Sequence, residues 1–211
     1  QAIARLQRRQ RRHKIQEIQA PKGCQENGMS QRDSGYARKE RDLYETPEWV
    51  TEALLPHLPR RPEMIWEPAM GSGKMTRVFM ANKLGFVGTD IADGEDFMSE
   101  TVGPGTDEAP DSIITNPPYE LGTEFCEHAI QLMEPVKGFV AMLMRTDFDH
   151  AKSRAHLFAN CPAFAKKVVL TKRIAWFEPE PGAKGKSPSF NHAWFIWDWR
   201  HEGAPTLAYA P

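Results

Sequence analysis

The chain has 211 residues, 40% hydrophobic and 26% charged, which suits one globular domain with a complete core. No apolar run approaches the roughly 18 residues of a membrane-spanning helix and no signal peptide is evident, so a cytoplasmic protein with no membrane partner is expected. Cys24, Cys126 and Cys161 are odd in number, widely spaced and without a CxxC pair, which argues against a disulfide framework or a zinc site, and no metal is expected.

The net charge of −1 hides an asymmetry. Residues 1–41 hold 11 Lys/Arg against 4 Asp/Glu, and the remainder is acidic. The run Arg8-Arg9-Gln10-Arg11-Arg12-His13-Lys14 is the densest positive patch and can track a phosphate backbone. Its composition is also that of a disordered, solvated tail. Two regions are therefore expected: a basic tail over 1–41 and a folded domain over 42–211.

In the domain, Tyr44-Glu45-Thr46-Pro47 leads into Glu48–Leu55, with Thr46 suited to the N-cap and Pro47 to the first helical position. The N–H groups of that first turn can hold a carboxylate, although an ordinary capped surface helix accounts for the stretch equally well. Pro56 and Pro59 end the helix. Met64–Glu67 reads as a strand, Pro68–Gly73 as a glycine-bearing turn, and Lys74–Lys83 as a helix with Val78 and Phe79 on its buried face. A P-loop fails here because Pro68 and Met75 stand where glycine and Ser/Thr are required. The dinucleotide fingerprint is incomplete because Thr76 replaces its third glycine. Gly71 and Gly73 still allow a ligand to approach the backbone closely.

Gly85–Ile91 reads as a second strand ending in Asp90, 19 residues after Gly71. An acid at that place and offset commonly bonds ribose hydroxyls. Ile91 is then placed to pack on an adenine face. Asp93–Met98 contributes another acid, Asp96, followed by Phe97.

Asp111–Thr115 is a buried strand running straight into Asn116-Pro117-Pro118-Tyr119. Proline cannot donate to a ladder, so the strand must stop, and the two prolines stiffen the loop that follows. Ligands bind at the C-terminal strand ends of open α/β sheets. The lone pair of an exocyclic amino group on a nucleobase is delocalised into the ring. Two acceptors aimed at its hydrogens, the Asn116 side-chain oxygen and the Pro117 carbonyl, would draw density back onto the nitrogen, and Tyr119 could stack on the base. Alone, the four residues also read as a plain strand-ending turn.

Residues 121–133 are helical in pattern, and Gly138–Met144 reads as a central strand buried on both faces. Arg145, Lys152 and Arg154 follow at its ligand end, where they could meet phosphates. His150 and His156 lack metal-ligand spacing and read as surface or polar-network residues. Ala165–Leu170 and Asn191–Trp199 are strands separated by a loop, 178–189, of Pro, Gly, Lys and Ser. They suit an antiparallel hairpin at the sheet edge.

The order Tyr44-x-Thr46-Pro47, Glu67-Pro68-x-x-Gly71-x-Gly73, Asp90, Asp96-Phe97, Asn116-Pro117-Pro118-Tyr119 resembles the S-adenosylmethionine-dependent N6-adenine methyltransferases of DNA. The resemblance spans residues 44–199 and is closest to compact phage and prophage enzymes of the gamma arrangement. It implies an α/β, Rossmann-like methyltransferase fold, a mixed sheet of about seven strands flanked by helices. It implies S-adenosylmethionine as cofactor, with Tyr44, Thr46, Pro47, Glu67, Pro68, Gly71, Gly73, Asp90, Ile91, Asp96 and Phe97 around it. Glu67 would face its positive end, and Asp96 and Phe97 its adenine. Asn116, Pro117, Pro118 and Tyr119 would be catalytic. Trp176, with Phe177 beside it, would close on the far face of the flipped base unless these rings are core packing, and Arg145 and Arg173 would face DNA.

Only 12 residues follow Trp199, whereas gamma enzymes usually carry a large recognition domain there. Target choice is thus expected to lie in the tail, in loops such as 178–189, or to be relaxed. Two other readings share these motifs: methylation of RNA or of a protein glutamine, and a nucleic-acid-binding protein with a vestigial cofactor pocket.

Overall fold

A computed structural model describes residues 44–101, 103, 109–176 and 190–211. The basic tail, Cys24, Phe177 and loop 178–189 lie outside the described residues.

Seven strands form one sheet: β1 (Met64–Glu67), β2 (Gly85–Gly88), β3 (Ser112–Thr115), β4 (Phe139–Arg145), β5 (Phe164–Leu170), β6 (His192–Asp198) and β7 (Thr206–Ala210). Their order is β2-β1-β3-β4-β6-β5-β7. Strand β6 runs antiparallel to its neighbours β4 and β5, while every other pairing is parallel. The helices are α1 (Glu48–Leu54), α2 (Lys74–Ala81) and α3 (Gly122–Met133).

Side chains alternate across a strand, so consecutive residues feed opposite faces. Ile65, Ile114, Ala141, Leu143 and Trp194 pack with Val50 and Leu54 of α1 and Met75 and Phe79 of α2. Trp66, Ile113, Val140, Met142 and Trp197 pack on the other face with Phe125, Ala129 and Met133 of α3. Two hydrophobic layers therefore sandwich the sheet. Six of the seven β4 residues are buried, which explains why that strand is continuously apolar. The indole N–H groups buried by this packing are satisfied: Trp66 donates to the Thr89 hydroxyl at 2.8 Å and Trp194 to the Val50 carbonyl at 2.9 Å.

Four local expectations need correction. Thr46 is not the N-cap of α1; Pro47 is, with extended ψ of 144°, and no side chain caps the helix. Thr46 is instead buried beside the ligand-side cleft. Helix α2 stops at Ala81 rather than Lys83 because Asn82 turns its side chain back to the Val78 carbonyl and Lys83 takes a left-handed φ of 54°. Strand β2 ends at Gly88, because the chain turns so that the Thr89 carbonyl accepts from Met70 and Asp90 caps the short turn Ile91–Asp93. The β5–β6 pair is antiparallel as expected but does not form the edge. The unforeseen β7 covers β5 in parallel and takes that position. It is only five residues long with three exposed side chains, so its sequence carries little burial pattern.

Candidate active site

Strand order reverses around β1, which has β2 on one side and β3 on the other. The loops leaving the C-terminal ends of these three strands therefore diverge and open a crevice, the usual ligand site in such sheets. A cavity of about 200 Å³ occupies it. Its walls include Tyr44, Thr46, Glu67, Pro68, Gly71, Asp90, Ile91, Asp96, Phe97 and Asn116, which places most of the expected cofactor residues around one space together with the asparagine of the proline turn.

The loop after β1 is shaped by backbone conformation. Gly71 and Gly73 have φ of 54° and 78°, values that favour glycine, and Gly73 starts α2. The Asp90 carboxylate accepts from the N–H groups of Gly71 and Ala92, both at 2.8 Å. Asp90 thus ties the β1 loop to the β2 loop as well as facing the cavity. Asp96 lines the same wall and caps its own short turn by accepting from Met98. Phe97 is mainly a core side chain, in edge contact with Trp66 at 5.0 Å and close to Phe125 at 4.8 Å, and it also borders the cavity.

Glu67 ends β1 and is only 1% exposed. Its Oε2 is buried with no hydrogen-bond partner among the described residues. Burial, and then the Asp90 carboxylate, push its carboxyl well above the usual range. An unpaired buried carboxylate is costly unless a cation or donor meets it. The position therefore fits a positively charged group in the cavity.

Asn116 is held by one end. Its Nδ2 donates to the Tyr44 carbonyl at 3.0 Å, and its Oδ1 is buried without a partner among the described residues. The amide orientation leaves an acceptor, not a donor, for an incoming group. The Tyr44 ring belongs to a cluster of three: it lies 5.6 Å from both Tyr119 and Trp176, and Tyr119 lies 6.3 Å from Trp176. Sequence reading placed all three near a ligand, and the fold gathers them from three separate segments.

Two groups escaped the sequence reading. Lys74 pairs with Glu45 at 2.8 Å on the cavity wall, and its hydrogen bond with that of Ser72 holds the Glu45 carboxyl below the ordinary range. This pair fastens the segment before α1 to the start of α2. His192 lies behind Tyr119, with its Nε2 3.1 Å from the phenol oxygen. No local motif marks either contact.

The expected DNA-facing arginines are both engaged with neighbours. Arg145 forms a two-point pair with Asp147 at 3.1 and 2.7 Å and lies over the Phe190 ring. Arg173 donates to the Asn191 side chain at 2.8 Å. Lys172, on the same segment as Arg173, sits over the Trp49 ring at 4.7 Å. The histidines at 150 and 156 pair with Asp149 and Glu127, as polar-network residues do. Cys126 is buried, which pushes its thiol far up and out of reactive range. No group of metal-ligating side chains occurs among the described residues, and none of their helices is long and apolar enough to cross a membrane.

No family model matches the chain, and no curated protein matches it in sequence. Among solved structures it is similar to the methyltransferase subunit of a type I restriction-modification system from Streptococcus thermophilus, with a TM-score of 0.55 and 12% identity. The fold is a Rossmann-like methyltransferase fold. The match covers 79% of this chain and 47% of that subunit, so the chain spans about half the subunit's length. Weaker likenesses are to a Vibrio vulnificus protein assigned as a modification subunit of a type I restriction enzyme (TM-score 0.49, 15% identity, 79% of this chain and 46% of that one). Another is to a Listeria monocytogenes protein assigned as a class I S-adenosylmethionine-dependent methyltransferase (TM-score 0.47, 12% identity, 77% of this chain and 62% of that one).

Proposed function

We propose that the protein transfers a methyl group from S-adenosylmethionine to the exocyclic N6 amino group of adenine in DNA. The observation that carries this reading is that Glu67 and Asn116, each with a buried oxygen lacking a partner among the described residues, line one cavity at the strand-order reversal. One oxygen suits a cation, the other an amino hydrogen.

The cofactor would contribute an electrophilic methyl on a sulfonium, a cation that fits the Glu67 wall. Asp90 and Ile91 would hold its nucleoside, with Asp96 and Phe97 at the far wall and Tyr44, Thr46 and Pro47 closing the near side. The Asn116 oxygen and the Pro117 carbonyl would accept from the two amino hydrogens and restore nucleophilic density to nitrogen. Neither is basic enough to remove a proton, so the proton leaves to solvent once nitrogen has become alkylated. Holding nitrogen and methyl in line then supplies much of the rate. The target base must leave the stack to reach Asn116, at a cost of a few kcal/mol in duplex DNA. Tyr119 and Trp176 would offset part of that cost by stacking. The tail over 1–41, Lys172, Arg145 and Arg173 would face the phosphate backbone. The compact phage-type character belongs to this same proposal.

Labelled S-adenosylmethionine supplied separately with DNA, RNA and protein, followed by digestion to the modified unit, tests the reading. Label recovered as N6-methyladenine from DNA is the expected result. Label in RNA or on a glutamine would move the acceptor class, and binding of cofactor without transfer to any of the three would remove the catalytic claim.

A further inference from the structure

His192 opens β6 in register with Arg145 of β4 and is 3% exposed. It touches two walls of the aromatic site. Its Nε2 lies 3.1 Å from the Tyr119 phenol oxygen, and its ring meets Trp176 edge-on at 5.2 Å. Its Nδ1 is buried with no partner among the described residues. The contact with Tyr119 is thus the hydrogen bond the imidazole makes. Burial, and next the Arg145 guanidinium, lower the ring to about 4 despite the opposing pull of Asp147, so the ring is neutral at physiological pH.

Packing alone does not call for an imidazole here. The other buried β6 side chains are the apolar Ala193, Trp194, Phe195, Ile196 and Trp197, and Asp198, which is paired with Arg60. A polar ring at the β6 position against Tyr119 carries a desolvation cost that the Tyr119 contact offsets. The aromatic walls are also closed on one another. Tyr119 and Trp176 lie 6.3 Å apart at 82°, whereas a base between parallel rings needs about 7 Å, twice a ~3.5 Å carbon contact. Some wall must yield as a base enters, and Tyr119 is held by its contact with buried His192.

We infer that His192 is a positioning residue that fixes the orientation of Tyr119 as one wall of the acceptor site. This rests on the acceptor being a planar base, as proposed above. Preset orientation of one wall lowers the ordering cost of binding and so favours acceptor affinity over turnover.

The test compares Tyr119→Phe, His192→Phe, the double variant and His192→Gln in the full chain. Each Phe variant is expected to raise KM for DNA about 2- to 10-fold, the range of one hydrogen bond, with kcat and calorimetric cofactor affinity little changed. The double variant should be no worse than either single one, and His192→Gln should recover much of the loss. A purely structural role predicts instead that His192→Phe costs as much in the Tyr119→Phe background as alone, which overturns the inference. A readout free of substrate is the 15N resonance pair of the imidazole, assigned by its loss in His192→Phe. It should report a neutral ring at about pH 5.5 and shift in Tyr119→Phe. Resonances indifferent to Tyr119→Phe overturn the inference even if the Phe variants fold poorly. If the resonances respond but no DNA is methylated, the His192–Tyr119 coupling stands and the choice of acceptor falls.

Discussion

The side-chain amide of Asn116 donates to the backbone carbonyl of Tyr44, 72 residues earlier, at 3.0 Å. This one bond decides which end of the amide faces the cavity. A free asparagine presents donor and acceptor alike; this one is committed as an acceptor. Asn116→Ala removes the acceptor and leaves the Glu67 wall untouched. Methyl transfer is expected to fall by about 10²–10³-fold or more, by analogy with loss of one preorganised polar group at a reacting centre, while cofactor affinity changes little. Calorimetry alongside a transfer assay checks this, and equal loss of both would remove the role given to Asn116.

Glu67 sets a pH dependence. Its folded-state carboxyl titrates above the ordinary range, so the native state holds a proton that the unfolded chain has released. The corresponding stability is complete below the ordinary carboxylate range and is lost as pH rises through the folded-state value. Glu67→Gln should flatten this fall, measured as melting temperature from about pH 5 to about pH 9. A cation entering the cavity favours the charged carboxylate and expels the proton. Cofactor affinity should therefore rise with pH in the native protein, and the Gln variant should bind more weakly with less pH dependence.

Trp176 is half-buried among Tyr44, Tyr119 and His192 rather than locked in the core. Trp176→Ala should weaken DNA binding by about 1–3 kcal/mol, the range of one base–aromatic stack. The fold should be little affected, because the ring sits at the margin of the core cluster. Fluorescence anisotropy with labelled DNA and a thermal melt separate the two effects.

Gly73 carries the left-handed start of α2, and a Cβ there would stand 2.9 Å from the Thr76 hydroxyl oxygen. Gly73→Ala is expected to cost about 1–2 kcal/mol of stability from backbone handedness. The loop it shapes should lose cofactor affinity as well. A chemical melt and a calorimetric titration measure the pair.

Strand β7 shields β5, and the Ala210 carbonyl accepts from both the N–H and the hydroxyl of Thr171. Removing residues 203–211 should lower stability on the order of 3 kcal/mol through the lost ladder, and should expose β5 as a new edge prone to pairing with other chains. Denaturant titration and light scattering report the two consequences.

Much of the framework was legible along the chain. The buried runs at 64–67, 112–115 and 139–145 became parallel strands, and the paired prolines ended β3 where backbone chemistry requires. Glu67, Gly71, Asp90 and Asp96, singled out along the chain by offset and order, line one cavity. Thr46 was misplaced by one position because local capping preference competes with burial of its side chain. Strand β7 was missed because its exposed, short sequence has no periodicity to read.

The residues themselves determined where strands stop, which loops can bend around a ligand and which groups can do chemistry, because proline, glycine and hydrophobic alternation act over a few positions. Tertiary structure alone decided how those groups are used. It set the orientation of Asn116 through Tyr44, left the Glu67 oxygen without a partner, and brought His192 behind Tyr119. Each is a contact between segments tens of residues apart, fixed by strand order and by the packing of both sheet faces, and no window of sequence contains it.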